Sequence, residues 1–331
     1  MEEIPNECIY SILLFLNPKQ LHLCAQINYN FNQLCQLDSL WRNRIDNQYN
    51  VLFKKENYYE NCKIYYQVNT LKKKFKLSKD VASLYNSREL YIGNNRLIQL
   101  QNRKNLIWKN LQEINLLTNL RKLSLDNNKL TQLPDEIGLI TNLRILVLNY
   151  NQFTEVPKAV WKLTNLVALS LGHNKLTQVP KEIGLLTNLL YLGLPCNQLT
   201  EISKEVKQLI QLQSLGLCYN QLIKIPQEIL HLTLLHNLTL NNNKLTHLPN
   251  KIKQLTKLRT IYLQNNKLMQ ISPEIKYLTN LEYLYLMDNQ LLHLPKEMGQ
   301  LTNLRTLFLQ NNKLIQIPQE IREIPNLIIQ T

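Results

Sequence analysis

The side chains that most often carry catalysis or bind metals, cysteine and histidine, are few in this sequence and are not grouped. There are six cysteines and six histidines among 331 residues. The sequence has no Cys-x-x-Cys pair, no histidine at zinc-finger spacing and no His-Glu-x-x-His motif. We therefore expect reduced, packed thiols, with no structural metal, no disulfide framework and no catalytic residue. Only seven glycines are present, which disfavours a glycine-rich phosphate loop, and no cofactor is predicted.

The composition describes a basic chain with ample apolar residues for a core. The formal charge is +14, and residues 51–110 hold 13 basic and 4 acidic side chains, a local excess of +9. No apolar run approaches the ~18 residues of a membrane helix, and the first ten residues, MEEIPNECIY, open with acids rather than with the basic start of a secretory signal. We expect a cytoplasmic protein, with the nucleus as a second compartment and no membrane partner.

An internal repeat of 23 residues dominates the sequence. Each unit reads L-x-x-L-x-L-x-x-N-x-L-x-x-φ-P-x-x-φ-x-x-φ-x-x, where φ is apolar. Alternation around positions 4 and 6 predicts a short strand with one buried face. Apolar residues at positions 14, 18 and 21 suit a return limb, either a helical turn or an extended stretch. The nine regular units begin at Leu120, Leu143, Leu166, Leu189, Leu212, Leu235, Leu258, Leu281 and Leu304, and a tenth start stands at Leu327.

Two polar positions of the repeat have structural explanations. Position 9 is asparagine in all nine units, and its amide can donate to and accept from the backbone of adjacent coils. We therefore expect an asparagine ladder that holds the coils together and takes no part in recognition. Position 15 is proline in seven units and serine in the other two, and proline fixes the chain direction as it enters the return limb.

This pattern resembles the leucine-rich repeat, and the segment LPDEIGLITNL from Leu133 is similar to the intracellular type found in Ras-associated scaffold proteins. The resemblance implies an α/β leucine-rich-repeat solenoid, a horseshoe whose parallel strands line the concave face. Upstream, Ser87 to Leu100 fits positions 1 to 14 of one more unit, interrupted by a ten-residue insertion at 101–110. The predicted repeat region, 87–331, comprises an irregular unit at 87–119, nine regular units over 120–326 and a terminal strand at 327–331.

The first fifty residues do not repeat. Ile9, Ile12, Leu13 and Leu16 lie at i, i+3, i+4 and i+7, the apolar stripe of an amphipathic helix. Two further short helices are predicted before Leu40 and Trp41, which close the unit. Three helices in this length make a small all-α core.

Residues 4 to 45 resemble the F-box in Ile4-Pro5, Glu7, the turn from Leu16 to Leu21, Phe31 and Leu40-Trp41. The resemblance implies an F-box-like helical domain at 1–50 that binds the Skp-type adaptor of a cullin-RING ubiquitin ligase. A basic segment at 51–86 would then be a helical linker or a cap on the solenoid. The adaptor-binding residues implied by the resemblance are Ile4, Pro5, Ile9, Ile12, Leu13, Leu16, Pro18 and Leu21.

In a leucine-rich horseshoe, positions 2, 3, 5, 7 and 8 project onto the concave face. Position 5 is small in the middle coils and aromatic in the C-terminal third. Exposed aromatic clusters are typical of protein-binding hot spots, although aromatic residues are also favoured on strands, where they cover their neighbours. The predicted substrate-binding residues are Ile145, Val147, Tyr150, Tyr191, Tyr219, Tyr262, Tyr283, Tyr285 and Phe308.

These features together predict a non-enzymatic substrate-recognition adaptor of a Skp-cullin-F-box ubiquitin ligase, with a protein substrate that the sequence does not identify. An alternative is a leucine-rich-repeat scaffold in small-GTPase or phosphatase signalling, whose N-terminal helices only cap the solenoid. A secreted effector ligase with its own catalytic cysteine is disfavoured, because the helical domain precedes the repeats. Charged residues on the predicted concave face are few and mixed in sign, which disfavours nucleic acid as a partner.

Overall fold

The computed structural model describes residues 68–69, 71–73, 77, 84–93 and 113–331. The F-box-like region, with all eight predicted adaptor-binding residues, and the insertion at 101–110 lie outside these residues. The chain divides into two compact units, one of residues 1–88 and 103–120, the other of residues 89–102 and 121–331. Among the described residues of the first unit is the 3-10 turn Glu113–Leu116. The second unit contains the repeats described below.

Eleven strands form one parallel sheet, in which each strand pairs with the one before it and the one after it in the chain. The predicted leucine-rich-repeat solenoid is thus confirmed. Each regular strand covers positions 3 to 5 of its repeat, so that position 4 of one coil lies beside position 4 of the next, as Leu146 lies beside Leu169. The strands are β1 (Glu89–Tyr91), β2 (Lys122–Ser124), β3 (Ile145–Val147), β4 (Ala168–Ser170), β5 (Tyr191–Gly193), β6 (Ser214–Gly216), β7 (Asn237–Thr239), β8 (Thr260–Tyr262), β9 (Tyr283–Tyr285), β10 (Thr306–Phe308) and β11 (Ile328–Gln330).

The return limbs of the regular coils are short 3-10 helices that begin directly after position 15. Proline stands there in seven coils, and Ser203 and Ser272 in the other two each accept a hydrogen bond from the backbone N–H two residues on. The last return limb contains an α-helical turn instead, Gln319–Arg322. The 3-10 helices are Asp135–Leu139, Lys158–Lys162, Lys181–Leu185, Lys204–Gln208, Gln227–His231, Asn250–Gln254, Pro273–Tyr277 and Lys296–Gln300.

The core is built from the seven apolar positions of the repeat. In the first eight regular coils every one of these side chains is buried, with exposures of 8% or less. Full burial of one leucine, isoleucine or valine is worth about 1.5–3 kcal/mol, so stacking the coils supplies the main stabilising term. In the last coil Leu314 and Ile317 are only half-buried, since β11 is the final strand of the sheet. Within the described residues, no helix is long and apolar enough to cross a membrane.

The two ends of the sheet depart from the 23-residue period. Glu89 of β1 pairs with Lys122 of β2, an offset of 33 residues, which is 23 plus the ten-residue insertion predicted from the sequence. Thr306 of β10 pairs with Ile328 of β11, an offset of 22 residues. The last coil is therefore one residue shorter than the other regular coils, and Ile329 occupies the inward position 4.

The predicted asparagine ladder is confirmed by its hydrogen bonds. In the coil of Asn220, the side-chain amide nitrogen donates to the carbonyl oxygens of Leu217 in the same coil (3.1 Å) and Leu194 in the preceding one (3.0 Å). Its side-chain oxygen accepts from the N–H of Leu199 at 3.0 Å. A second set of such bonds, which the sequence did not reveal, occurs at position 23 in two separate stretches of the solenoid. Asn188, for example, donates to the carbonyl of Thr164 at 2.9 Å, and Asn280 donates to that of Thr256 at 2.8 Å.

Candidate protein-binding face

The outward side chains of the sheet, at positions 3 and 5, form what we call the strand face. Position 4 between them is buried in β1 to β10. All nine predicted substrate-binding residues lie on the strand face or at position 8, in the turn that follows each strand, and none of them is buried. The structure separates them into two groups. Five lie in the coils that begin at Leu143, Leu189 and Leu212, four lie in the last three regular coils, and β7, with Asn237 and Thr239 facing outward, stands between the groups.

The C-terminal group contains a stacked aromatic column, formed by Tyr262, Tyr285 and Phe308. The ring centroids are 4.4 Å apart between Tyr262 and Tyr285, and 4.5 Å apart between Tyr285 and Phe308, with interplanar angles of 14° and 9°. These distances match the ~4.8 Å spacing of neighbouring strands, because each ring occupies position 5 of consecutive coils. Burial within the stack, followed by the proximity of Tyr262, raises the pKa of Tyr285. The column is thus a half-exposed, ordered apolar platform.

An ionic border runs beside the aromatic column at position 2. The Glu282 carboxylate lies 3.6 Å from the guanidinium of Arg259 and 3.5 Å from that of Arg305, so one acid bridges two arginines in flanking coils. At position 8 of the same region, Asn311 donates to the Asp288 carboxylate at 2.8 Å. Exposed ion pairs add little to the free energy of unfolding. The Glu282 carboxylate nevertheless partly neutralises the two guanidinium charges, so these arginines do not form a continuous basic stripe.

The N-terminal group is organised by the backbone at position 8, which is left-handed in all nine regular coils, with φ between 53° and 58°. Asparagine and aspartate tolerate this conformation, and they occupy position 8 in five coils. The other four coils are consecutive, and their residues form what we call the turn strip: Tyr150, His173, Cys196 and Tyr219.

The turn strip places bulky side chains in strained backbone although they gain little burial there. Tyr150 is 55% exposed and Tyr219 is 54% exposed. The Tyr150 and His173 rings stack with centroids 4.0 Å apart. A left-handed conformation costs a residue with a β-carbon about 1–2 kcal/mol, and such strain at exposed positions is typical of functional sites. His173 was not among the predicted site residues, and the signal that identifies it is the loss of asparagine from position 8.

In the middle of the strand face, position 5 is glycine in two neighbouring strands, Gly193 in β5 and Gly216 in β6. The Tyr191 ring lies over Gly193, since a β-carbon on Gly193 would be 2.6 Å from the Tyr191 hydroxyl oxygen. Around Gly216 the nearest atom to such a carbon is 3.6 Å away. The middle of the strand face therefore has no side chains at position 5, and the Tyr191 ring covers part of it.

The described residues offer no activated nucleophile at this face. Cys196 and Cys218 are free thiols. Burial raises the pKa of both, and the nearby Cys218 adds to the effect on Cys196, so both thiols are protonated at neutral pH. In the described part of the chain, no three histidine, cysteine, aspartate or glutamate side chains are grouped as a metal site.

Comparison with known families agrees with this geometry. The family described as a leucine-rich repeat region matches residues 93–205 and 194–313, which together make more than half of the chain. The chain belongs to the leucine-rich-repeat proteins. A further match, to the family described as Leucine Rich Repeat, covers residues 303–324. The family described as F-box-like matches residues 1–46, so this leucine-rich-repeat protein begins with an F-box-like domain, as predicted.

Solved structures with similar folds include an internalin (inlF) from Listeria monocytogenes, with a TM-score of 0.56 and 21% identity over 80% of this chain and 93% of that one. TLR13, in a complex with ssRNA13, has a TM-score of 0.59 and 26% identity over 67% of this chain and 34% of its own. A TDR receptor has a TM-score of 0.51 and 28% identity over 66% and 44%. No significant match is found among curated proteins.

An F-box-like domain followed by leucine-rich repeats is the composition of a protein-interaction adaptor. Both families typically consist of interaction modules without enzymatic activity. F-box domains generally bind Skp-type adaptors, and leucine-rich repeats bind proteins.

Proposed function

We propose that this protein is a substrate-recognition adaptor of a Skp-cullin-F-box ubiquitin ligase. Its F-box-like domain binds the Skp-type adaptor, which connects it to the cullin, and its strand face with the turn strip binds a protein substrate. The observation that carries the proposal is the F-box-like match at residues 1–46 ahead of a solenoid with exposed aromatic residues. The chain then acts by proximity, because it raises the effective concentration of substrate lysines near the conjugating enzyme.

The substrate-binding part of the proposal rests on two apolar clusters separated by a polar coil. The aromatic column presents three stacked rings, and the turn strip presents two half-exposed tyrosines with a histidine. Tyrosines and other aromatics dominate the energetics of protein interfaces, because they bury large areas at a low cost in side-chain entropy. A folded partner that contacts both clusters would span β3 to β10, seven strand steps or about 34 Å.

A nucleic acid is the less favoured ligand. The TLR13 structure contains ssRNA13, but in this chain two arginines at position 2, beside the strand face, share one carboxylate: Arg259 and Arg305 both pair with Glu282. At the other end of the sheet, Lys122 lies 5.0 Å from the centroid of the Tyr91 ring, and Tyr91 itself donates to the Glu89 carboxylate. Binding to phosphates would need a continuous row of available cations.

Direct binding of a purified Skp-type adaptor tests the first half of the proposal. The full chain should co-elute with the adaptor in size-exclusion chromatography, and the variant Leu13→Glu, Leu16→Glu should not. The variant Tyr262→Ala, Tyr285→Ala, Phe308→Ala is the matched control and should co-elute as the full chain does. If the unaltered chain and the adaptor elute separately, the proposal is wrong. Selective binding of a small GTPase or a phosphatase by that same chain would then favour the scaffold alternative.

A further inference from the structure

A second exposed surface lies at position 12 of the repeat, in the loop between the strand and the return limb. In the first four regular coils this position is threonine: Thr131, Thr154, Thr177 and Thr200. In four of the last five coils it is a large apolar residue. These residues form what we call the apolar ridge: Ile223, which is 62% exposed, Met269 (56%), Leu292 (47%) and Ile315 (72%).

The backbone brings the members of the ridge into register. The N–H of Ile315 donates to the carbonyl of Leu292 at 3.2 Å, and the N–H of Met269 donates to that of Thr246 at 3.4 Å. Position 12 of one coil is therefore adjacent to position 12 of the next. The ridge extends over four coil steps, about 19 Å at ~4.8 Å per coil.

The formal charges that flank the ridge are all on lysines and therefore have one sign. In the five C-terminal coils, positions 10 to 13 read QLIK, KLTH, KLMQ, QLLH and KLIQ, with no acidic residue. In the first four coils the same positions read KLTQ, QFTE, KLTQ and QLTE, so that Glu155 and Glu201 interrupt the surface. The basic residues on the two sides of the ridge, all exposed, are Lys224, Lys244, Lys267, Lys313, His247 and His293.

The coil without an apolar residue at position 12 is the one next to a hollow. Thr246 interrupts the ridge, and its hydroxyl lies 3.1 Å from the His247 ring nitrogen Nδ1. Beside it, a hollow of about 460 Å³ is lined by His247, Lys251 and Ile271, among others. Glu274, which lies beyond Pro273 at the rim, is held by Lys253 at 3.0 Å. Because most of its lining residues are polar or charged, the hollow suits a polar or acidic side chain of a partner.

We propose that the apolar ridge binds an acidic amphipathic helix of a partner protein, independently of the strand face. One turn of an α-helix rises 5.4 Å, close to the coil step, so one apolar side chain per turn lies over each coil. About 13 helical residues cover the 19 Å of the ridge. Carboxylates on one side of the helix's apolar stripe meet Lys244, Lys267 and Lys313 at position 10. On the other side they meet Lys224 and can accept hydrogen bonds from the His247 and His293 rings. The lysine charges disfavour a basic helix.

A membrane surface is the less favoured occupant. A helix needs a narrow apolar line with charges on both sides, and the ridge is a single row of four side chains. Binding to a bilayer would instead favour a broad basic surface with aromatic residues at its apolar centre, and the ridge contains no aromatic residue.

The test uses the full chain and a fluorescein-labelled synthetic peptide of about 18 residues, with leucines at i, i+3, i+4, i+7 spacing and glutamates on the other positions. Fluorescence anisotropy should show saturable binding with a Kd between about 1 and 100 μM. The ridge variant Ile223→Thr, Met269→Thr, Leu292→Thr, Ile315→Thr should weaken binding at least about ten-fold. It should fold normally, because threonine already stands at position 12 in five coils.

Two control variants distinguish binding at the apolar ridge from non-specific hydrophobic binding. The variant Leu139→Thr, Leu185→Thr, Ile210→Thr, Tyr277→Thr removes four other exposed apolar residues and should leave the Kd unchanged. The variant Lys224→Gln, Lys267→Gln, Lys313→Gln should weaken binding and reduce its dependence on salt.

Four results would overturn the proposal. They are the absence of saturable binding up to about 1 mM, equal loss of affinity in the ridge variant and the control variant, equal affinity for a peptide with lysine in place of glutamate, and ridge-dependent binding of phosphatidylserine vesicles without binding of the peptide.

Discussion

Replacing Asn220 by alanine, in the middle of the asparagine ladder, should destabilise the solenoid by about 2–4 kcal/mol. The largest cost is at the N–H of Leu199, which loses the side-chain oxygen that accepts its hydrogen bond at 3.0 Å. A buried N–H left without an acceptor costs about 1–3 kcal/mol. This cost is local to Leu199, because the ladder oxygen in its own coil, that of Asn197, already accepts from the Leu176 N–H.

The carbonyl groups that accept from the Asn220 amide contribute less to the predicted loss of stability. The Leu194 carbonyl keeps a donor in the amide of Asn197 at 3.1 Å, and the Leu217 carbonyl keeps one in the amide of Asn243 at 2.9 Å. Each position-6 carbonyl in the middle of the ladder thus has two donors. Asn220→Ala removes one donor from each of these two carbonyls, and the two losses together cost about 0.5–1.5 kcal/mol. This redundancy sets the upper limit of the predicted loss.

The matched comparison is Asn312→Ala, at the C-terminal end of the ladder. Asn312 makes the same kinds of hydrogen bonds, to the Leu286 and Leu309 carbonyls at 2.9 and 2.8 Å. It is only half-buried, so water replaces part of what is lost, and we expect a cost of about 1 kcal/mol.

Urea unfolding followed by circular dichroism measures the two losses, and hydrogen exchange locates them. In Asn220→Ala, the amide of Leu199 should exchange faster than in the unaltered chain, while distant coils keep their protection. Equal destabilisation by the two substitutions, or a loss below about 1 kcal/mol for Asn220→Ala with no change at Leu199, would refute the reasoning.

Two further predictions concern single side chains. Because burial raises the pKa values of the Cys196 and Cys218 thiols, iodoacetamide should alkylate both slowly at neutral pH and faster above about pH 9. Mass spectrometry maps the two modifications. Alkylation rates equal to those of an unstructured cysteine peptide at neutral pH would contradict this prediction. Ser272→Ala should lower the free energy of unfolding in urea by about 1 kcal/mol. The Ser272 hydroxyl accepts from the Glu274 N–H at 3.2 Å and donates to the Asn250 side-chain oxygen at 2.9 Å. An unchanged free energy of unfolding would show that this cap is dispensable.

The sequence predicts the regular coils well because every coil solves the same packing problem. A leucine at position 4 or an asparagine at position 9 meets its own equivalent one coil away, so a one-dimensional pattern specifies a three-dimensional contact. The stacking of Tyr262 on Tyr285 follows from the same rule, since equal positions in adjacent coils lie side by side. The strand-face part of the candidate site could therefore be found by listing columns of the repeat.

The remaining features depend on information that the repeat pattern does not contain. In the last coil, Leu327, Ile328 and Ile329 are all apolar, so the pattern alone does not decide which of them faces inward. The pairing of Ile328 with Thr306 decides it, in a coil whose return limb contains an α-helical turn. The strain in the turn strip was also hidden, because the left-handed backbone at position 8 becomes visible only in the structure.

The central claim, that one chain connects a ligase adaptor to a substrate, is tested most directly by quantitative affinity purification of three tagged forms. These are the full chain, the chain without residues 1–50, and the variant Tyr262→Ala, Tyr285→Ala, Phe308→Ala. Removal of residues 1–50 should abolish recovery of the Skp-type adaptor and cullin and retain at least one other bound protein. The aromatic variant should show the opposite pattern. Adaptor and cullin recovered equally with and without residues 1–50, or every other bound protein unchanged in the aromatic variant, would contradict the account.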